Sequence, residues 1–338
     1  MSPPIQAAIA RVVERQPLTQ AEARETMEEI LAGQATPAQI AGLAVALRMK
    51  GETPDEIAGM AEAMRRRVAP LLTRRSPLID TCGTGGDNAG TFNISTTVAI
   101  VAASCGVAVA KHGNRAVSSR AGSADVLEQL GVTIEVTPEE AARSIDALGL
   151  AFLFAPNYHV ALSHAAGPRR ELGVRTVFNL LGPLTNPAGA RRQLLGVYGD
   201  SLVRPIAEVL ERLGSERAWV VHGRDGLDEL SVYTPSHVAE LQNGAIAEFE
   251  VDPRALGLGH TDRAGIAGGS AADNARRIRG ILAGEAGPAR DIVVLNAAAA
   301  LVVGGVAREL EDGVARARRA IGSGDAARKL AELAAFRA

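Results

Sequence analysis

The residues best suited to chemistry fall in two loops whose composition fits a polyanion. Asp80-Thr81-Cys82-Gly83-Thr84-Gly85-Gly86-Asp87 leads to Thr91-Phe92-Asn93-Ile94-Ser95-Thr96-Thr97 and then to an apolar run of helical character. Glycines at 83, 85 and 86 let backbone N–H groups approach an anion closely, while the hydroxyls and helix start beyond add donors and a favourable dipole. Such a turn can also serve only to reverse the chain, and residue types alone leave both readings open. The spacing matches neither the GxGxxG dinucleotide fingerprint nor the P-loop, because no Lys-Ser or Lys-Thr follows the glycines. The second loop runs Lys111-His112-Gly113-Asn114-Arg115-Ala116-Val117-Ser118-Ser119-Arg120-Ala121-Gly122-Ser123. Its cations and hydroxyls suit a polyphosphate, or else form a solvated basic loop.

Two further segments carry charge in useful form. Adjacent Asp228 and Glu229, after the turn Gly223-Arg224-Asp225-Gly226, offer hard oxygen ligands suited to Mg²⁺, although neighbouring acids on a loop are often only solvated charge. Arg169 and Arg170 precede Phe178-Asn179-Leu180-Leu181-Gly182-Pro183-Leu184-Thr185-Asn186-Pro187, and an arginine there can meet a carboxylate with a planar fork of donors. His159, His164, His222, His237 and His260 show no ligand-like spacing.

The elements that must position these loops follow from periodicity. Residues 1–70 read as short helices: apolar residues recur at helical spacing in Ile5, Ile9, Val12, Val13 and in Ala23, Met27, Ile30, Leu31. Thr19 with Glu22, Thr36 with Gln39 and Thr53 with Glu56 form capping boxes, the latter two with Pro37 and Pro54 at the first helical position. Pro70 to Pro77 reads as a link. Beyond it, apolar runs at 78–81, 107–111, 150–155, 194–198 and 218–222 alternate with helical patterns, which predicts a mostly parallel sheet with helices on its faces. Helices are expected at 271–283, 291–303 and 325–335. In such a sheet a ligand sits outside the carboxyl ends of the strands, where both Gly-punctuated loops fall.

Composition excludes several function classes. At 338 residues a large domain with a smaller satellite is expected. Aromatics are only 3% against 47% hydrophobic residues, so the core is aliphatic and a base-stacking platform is not expected. With 36 basic and 38 acidic residues interspersed, no electrostatic footprint for nucleic acid or an anionic membrane exists. Cys82 and Cys105 are too few for a disulfide framework, which fits a reducing cytoplasm. The longest apolar stretch, 292–307, is interrupted by Asn296 and two glycines, so no membrane span is expected.

Taken in order, the two loops, the Arg169–Pro187 stretch and Gly226-Leu227-Asp228-Glu229-Leu230 resemble the motifs of the anthranilate phosphoribosyltransferases, across essentially the whole chain. The resemblance implies an α/β, nucleoside phosphorylase/phosphoribosyltransferase-like fold. A small all-helical domain, 1–70, is completed by a helical segment near 160–190 and joined to an α/β domain, 77–338, with a mostly parallel central sheet. It implies that phosphoribosyl pyrophosphate is held by Gly83, Gly86, Asp87, Thr91, Asn93, Ile94, Ser95, Thr96, Lys111, His112, Gly113, Asn114, Arg115, Ala116, Val117, Ser118, Ser119 and Ser123. Anthranilate would meet Gly83, Asn114 and Arg169, with His112 lining the aromatic site. Mg²⁺, two ions per active site, would be bound through Ser95, Asp228 and Glu229, in a cytoplasmic homodimer that binds neither nucleic acid nor membrane. No covalent nucleophile is required, because displacement at the anomeric carbon depends on alignment and charge stabilisation. A pyrimidine nucleoside phosphorylase on a similar fold is disfavoured by Asp228-Glu229 and Lys111-His112-Gly113-Asn114. The chain departs from the family pattern at Tyr158-His159-Val160-Ala161-Leu162-Ser163-His164, where a Pro after His159 and a basic residue near Ser163 are the norm.

Overall fold

Side-chain caps set the limits of the first helices. The computed structural model describes residues 3–116 and 120–337. Helices α1 (Pro4–Val13), α2 (Gln20–Leu31), α3 (Pro37–Lys50) and α4 (Pro54–Arg65) form the helical layer, and Thr19, Thr36 and Thr53 close the capping boxes that their spacing predicts. Their inner faces bury Ile5, Met27, Ile30, Leu43, Leu47 and Met60. Among these apolar groups lies the buried carboxylate of Glu56. It is tolerated because it accepts from the N–H groups of Leu18 (2.9 Å) and Thr53 (2.8 Å) and pairs with Lys50 Nζ (2.9 Å).

The remaining elements are, in order, β1 (Leu78–Gly83), α5 (Ile94–Ser104), β2 (Ala108–Gly113), α6 (Ser123–Gln129), α7 (Pro138–Leu148), β3 (Leu150–Phe154), α8 (Ala155–Tyr158), α9 (Ser163–Leu172), α10 (Val177–Leu181), β4 (Arg192–Gly196), α11 (Val203–Arg212), β5 (Arg217–Gly223), β6 (Ser236–Gln242), β7 (Ala245–Val251), α12 (Ala271–Leu282), α13 (Pro288–Gly304), α14 (Leu310–Gly322) and α15 (Asp325–Ala335). One seven-stranded sheet runs β3-β2-β1-β4-β5-β6-β7, with β1 to β5 parallel and β6 and β7 antiparallel. The five parallel strands are the five apolar runs expected from sequence, buried as strands covered on both faces must be.

Among the described residues three apolar clusters pack on the sheet, one of them joining Leu78, Ala110 and Leu153 to Ile145 of α7. One face packs against α5 and α13, the latter buried along nearly its whole length. On the other, Leu195, Val220 and Leu241 of the sheet join α11 and a core continuous with the helical layer. Helices α9 and α10 leave the α/β order and pack on α2, α3 and α4, burying Ala165, Val177, Phe178, Leu180 and Leu181 there. The protein is thus a small helical domain joined to a larger α/β domain. Among the described residues no helix is long and apolar enough to cross a membrane.

Sequence reading passes over two features. The β6–β7 hairpin turns on Asn243-Gly244, with φ of 53° and 74°, the Asn-Gly pair that a two-residue hairpin loop favours. Helix α14 escapes because Gly313 interrupts its pattern. That glycine is a packing device, since a Cβ there would lie 2.8 Å from Ala298 Cα of α13.

Candidate active site

The chain proceeds from β1 outward to β2 and β3, then returns to place β4 on the opposite side of β1. The carboxyl ends of β1 and β4 therefore flank a topological switch point, where open α/β sheets bind ligands. Gly83 and Gly196 are register partners there. Neither has room for a side chain: a Cβ on Gly83 would lie 2.6 Å from Asp228 Oδ2, and one on Gly196 1.5 Å from the Asp228 carbonyl oxygen. The two glycines thus form a floor on which the acidic turn rests, and Gly85 N–H fixes the Asp228 carboxylate from above at 2.8 Å.

Asp87 closes on the same point, its Oδ2 3.5 Å from the Asp228 amide nitrogen. Burial, and then the nearby Asp87 charge, push the Asp228 carboxyl up to about 7. Glu229 is pushed well above the usual carboxylate range by burial and by Asp228, against the pull of Lys111 and the Ser95 backbone. Among the described residues no group of three or more His, Cys, Asp or Glu is gathered as a complete metal cage. Hard carboxylates that oppose one another fit Mg²⁺, which binds through one or two carboxylates and completes its shell with water and substrate phosphate.

Lys111, buried at the end of β2, donates to the carbonyl of Thr81 and to Ser95 Oγ at 3.3 Å. Burial lowers its pKa, and Asp80 opposes that shift. Asp80, fully buried and pushed up to about 6 by burial, accepts from His112 N–H (3.1 Å) and Asn186 Nδ2 (2.8 Å). Lys111, Ser95 and the acidic pair thus converge from a strand end, a helix start and a turn. Thr91 bridges Ala267, and Asn93 is held between the Ala121 carbonyl (3.2 Å) and Asn274 Nδ2 (3.0 Å). Ile94 and Thr96 open α5, where the Thr96 hydroxyl is buried without a partner.

Beyond β2 the second loop is partly committed to its own neighbourhood. Gly113 has Ser123 Oγ against it, 2.3 Å from where a Cβ would sit, and that hydroxyl donates to the Asn114 carbonyl at 3.1 Å. The Arg115 guanidinium is clamped by Glu128 (2.6 and 2.9 Å) and Asp125 (3.1 Å) of α6, and Ala116 N–H also reaches Asp125 at 3.0 Å. Val117, Ser118 and Ser119 lie outside the described residues.

A second group of side chains faces the helical layer. His112 Nδ1 lies 3.2 Å from the Gly182 carbonyl, which can only accept, so Nδ1 carries the proton and Nε2 presents a lone pair. Burial pushes His112 down to about 3 and His159 to about 4; the rings stand 5.1 Å apart, and both Nε2 atoms are buried without partners. Arg169 is half-buried on α9, 5.6 Å over the Phe178 ring, with its pKa lowered by burial. Its guanidinium has no hydrogen bond or ion pair among the described residues, whereas Arg170 is exposed. In the 158–164 segment the Tyr158 hydroxyl is buried and unpartnered, pushed up to about 12, beside a cavity of about 560 Å³ that Leu31, Met64 and Arg67 also line.

This geometry meets its counterparts in known proteins. Residues 6–68 match the family described as "Glycosyl transferase family, helical bundle domain", and residues 75–327 match "Glycosyl transferase family, a/b domain". Anthranilate phosphoribosyltransferase of Moorella thermoacetica is 55% identical over 332 residues, 98% of each chain. That of Myxococcus xanthus is 57% identical over 327 residues, 96% of this chain and 97% of its own. The chain belongs to the anthranilate phosphoribosyltransferase family. Its solved members superpose closely: the Thermus thermophilus enzyme gives a TM-score of 0.92 at 48% identity, covering 97% of this chain and 98% of that one. The Saccharomyces cerevisiae enzyme in complex with phosphoribosyl pyrophosphate and Mg gives 0.88 at 26% identity, covering 97% and 96%.

For a member of the anthranilate phosphoribosyltransferase family, the structure adds supporting residues that sequence reasoning did not single out. Gly196 has no local signal, because its need arises only when the acidic turn lies across it. Asn186 and Arg175 stood inside the quoted motif with no role. Asn186 plugs the gap between β1 and β2, donating to Asp80 and to the Ala110 carbonyl (2.8 Å each), while Arg175 donates to the Gly86 carbonyl.

Proposed function

We propose that this chain transfers the 5-phosphoribosyl group of phosphoribosyl pyrophosphate to the amine of anthranilate, giving N-(5-phosphoribosyl)anthranilate and diphosphate in tryptophan biosynthesis. The observation that carries this reading is the meeting, at the β1–β4 switch point, of a glycine loop, a buried lysine and a pair of mutually repelling carboxylates. Backbone amides of Gly83, Gly86 and Asp87, with Ile94 and the polar groups of Thr91, Asn93, Ser95 and Thr96, would form one wall for the diphosphate. Lys111, His112, Gly113, Asn114, Arg115, Ala116 and Ser123 would line the other side, with Val117, Ser118 and Ser119 outside the described residues; the Arg115 guanidinium is held on α6 and its N–H donates to Asn114 Oδ1 at 2.8 Å. Ser95, Asp228 and Glu229 would hold Mg²⁺, two ions per site. Bound there, Mg²⁺ would stabilise the charge that gathers on the departing diphosphate.

Gly83, Asn114 and Arg169 would receive anthranilate, with the Arg169 fork on its carboxylate and His112 beside the ring. These side chains orient the amine toward the anomeric carbon and exclude water; none needs to form a covalent bond. In this reading the helical domain is residues 1–70 completed near 160–190, the α/β domain is 77–338, and the protein works as a cytoplasmic homodimer. The test mixes purified protein, phosphoribosyl pyrophosphate, Mg²⁺ and anthranilate and follows loss of anthranilate fluorescence. No consumption of anthranilate, with phosphorolysis of thymidine or uridine instead, would replace this reading by the phosphorylase.

A further inference from the structure

The glycine loop is held by a side chain from outside the α/β order. Arg175, on the link between α9 and α10, donates to the Gly86 carbonyl and lies over the Tyr198 ring with its guanidinium carbon 4.6 Å from the centroid. The next residues, Val177 and Phe178, are buried in the core shared with the helical layer. Tyr198 is itself knitted to the loop: its N–H donates to Thr84 Oγ1 at 3.1 Å, and Thr84 N–H donates to the Gly196 carbonyl at 2.9 Å. The start of the loop is therefore tied to the extension of β4, and its far end is tied to Arg175. A Cβ on Gly86 would lie 3.3 Å from both Cδ and a terminal nitrogen of Arg175, so the contact is close along the side chain.

The Gly86 carbonyl and the Asp87 N–H belong to one planar trans peptide and point in opposite directions. Pinning the carbonyl to Arg175 thereby fixes the Asp87 N–H on the opposite face, where it has no hydrogen-bond acceptor among the described residues, and neither does the Gly86 N–H. Gly85 and Gly86 both have positive φ, 63° and 78°, a turn of the kind in which successive N–H groups converge on an anion. Arg175 has no carboxylate within salt-bridge distance among the described residues, so its donors are not diverted.

We propose that Arg175 is a positioning residue for the diphosphate of the sugar donor, holding the Gly86–Asp87 peptide with its N–H turned toward that group and coupling the helical layer to the phosphate loop. This rests on the donor assignment above. A planar fork that both donates and stacks on Tyr198 is suited to the task, and lysine offers the charge without that geometry.

The test compares wild type with Arg175→Met and Arg175→Lys. Binding of Mg²⁺-pyrophosphate is measured by calorimetry, KM for phosphoribosyl pyrophosphate and for anthranilate by steady-state kinetics, and folding by thermal unfolding. Arg175→Met should weaken pyrophosphate binding and raise the phosphoribosyl pyrophosphate KM by about ten- to a hundredfold, leaving the anthranilate KM unchanged, with Arg175→Lys between. Unchanged pyrophosphate affinity in both variants, or an equal rise in both KM values, overturns the inference, as does a lower unfolding midpoint with no change in pyrophosphate affinity. Because pyrophosphate binding needs no anthranilate, a wild type that binds it without consuming anthranilate refutes the proposed activity and leaves the Arg175 comparison decisive.

Discussion

Gly196→Ala should separate the placement of the acidic pair from its chemistry. The new Cβ would stand 1.5 Å from the Asp228 carbonyl oxygen and 2.5 Å from its carbonyl carbon, both backbone atoms that no rotamer change can move aside. Restoring an ordinary contact of about 3.5 Å requires the turn to retreat by about 2 Å. The strain should cost about 1 to 3 kcal/mol of stability, the usual range for overpacking. The functional loss should be larger, because a displacement of about 1 Å can cost about a hundredfold in rate. Steady-state kinetics with a Mg²⁺ titration reads the effect as a lower kcat/KM and a higher Mg²⁺ requirement, with calorimetric unfolding as the stability control. Gly199→Ala is the matched control: its Cβ meets nothing within 4 Å, and activity should be unaffected. A folded Gly196→Ala protein with wild-type turnover and Mg²⁺ dependence would refute the idea that this glycine positions the acidic turn.

Three other perturbations test the rest of the site. Arg169→Ala should raise the anthranilate KM by about ten- to a hundredfold, about 1.5 to 3 kcal/mol, and spare phosphoribosyl pyrophosphate, whereas exposed Arg170→Ala should change neither; the reverse result moves the assignment by one residue. Asp228→Asn with Glu229→Gln removes charge at little cost in packing, so activity should fall about a hundredfold or more while the apo-protein unfolds normally, and excess Mg²⁺ should recover part of it. His112 and His159 have folded pKa values of about 3 and 4, below the ordinary value near 6.5, so the unfolded chain takes up protons first as pH falls. Their stabilising contribution is complete above about pH 6.5 and is lost toward pH 3, at about 1.4 kcal/mol per pH unit for each ring at the steepest part. Urea midpoints at pH 7 and pH 5 should therefore diverge in wild type and diverge less in His112→Gln and in His159→Gln, each of which keeps the other ring; an unaltered divergence in both variants excludes the histidines as its source.

The proposed diphosphate side of this site was legible because its residue types are written locally. Glycines, hydroxyls and the start of α5 occupy one stretch of chain after one strand, and the topology rule places that stretch at the switch point without knowledge of any side-chain contact. The acidic pair was legible by type, but its floor was not: Gly83 and Gly196 come from strands more than a hundred residues apart in sequence, and only their register pairing brings them under Asp228. Arg115 illustrates the opposite case. Its charge is of the type that suits phosphate, yet Asp125 and Glu128, one helical turn apart on α6, take up its guanidinium. An element that sequence reading places correctly can thus still redirect a charge by the face it presents.

The proposed acceptor side is built on a different plan, which explains why it was harder to read. A short run of carbonyls after α10 is held by side chains from other parts of the fold, while Arg169 meets only the Phe178 ring. His112 from β2 bonds the Gly182 carbonyl, Gln193 from β4 bonds that of Pro183 (2.7 Å), and Arg65 from the end of α4 bonds that of Leu184 (2.7 Å). Arg65 also donates to the Leu213 carbonyl at 3.1 Å, and burial pushes it down to about 10, so a buried cation joins α4 to the carbonyl run after α10 and to the end of α11. In the proposed reading, diphosphate recognition would depend mainly on backbone groups anchored to the sheet. In the same reading, acceptor recognition would depend on side chains carried by α9 and by loops packed against α2, α3 and α4, so the position of the helical layer should govern it directly. Arg175, on the glycine loop, and Arg65, on the carbonyl run beside the histidines, are two contacts that tie the proposed site to the helical layer and to the α9–α10 link packed on it.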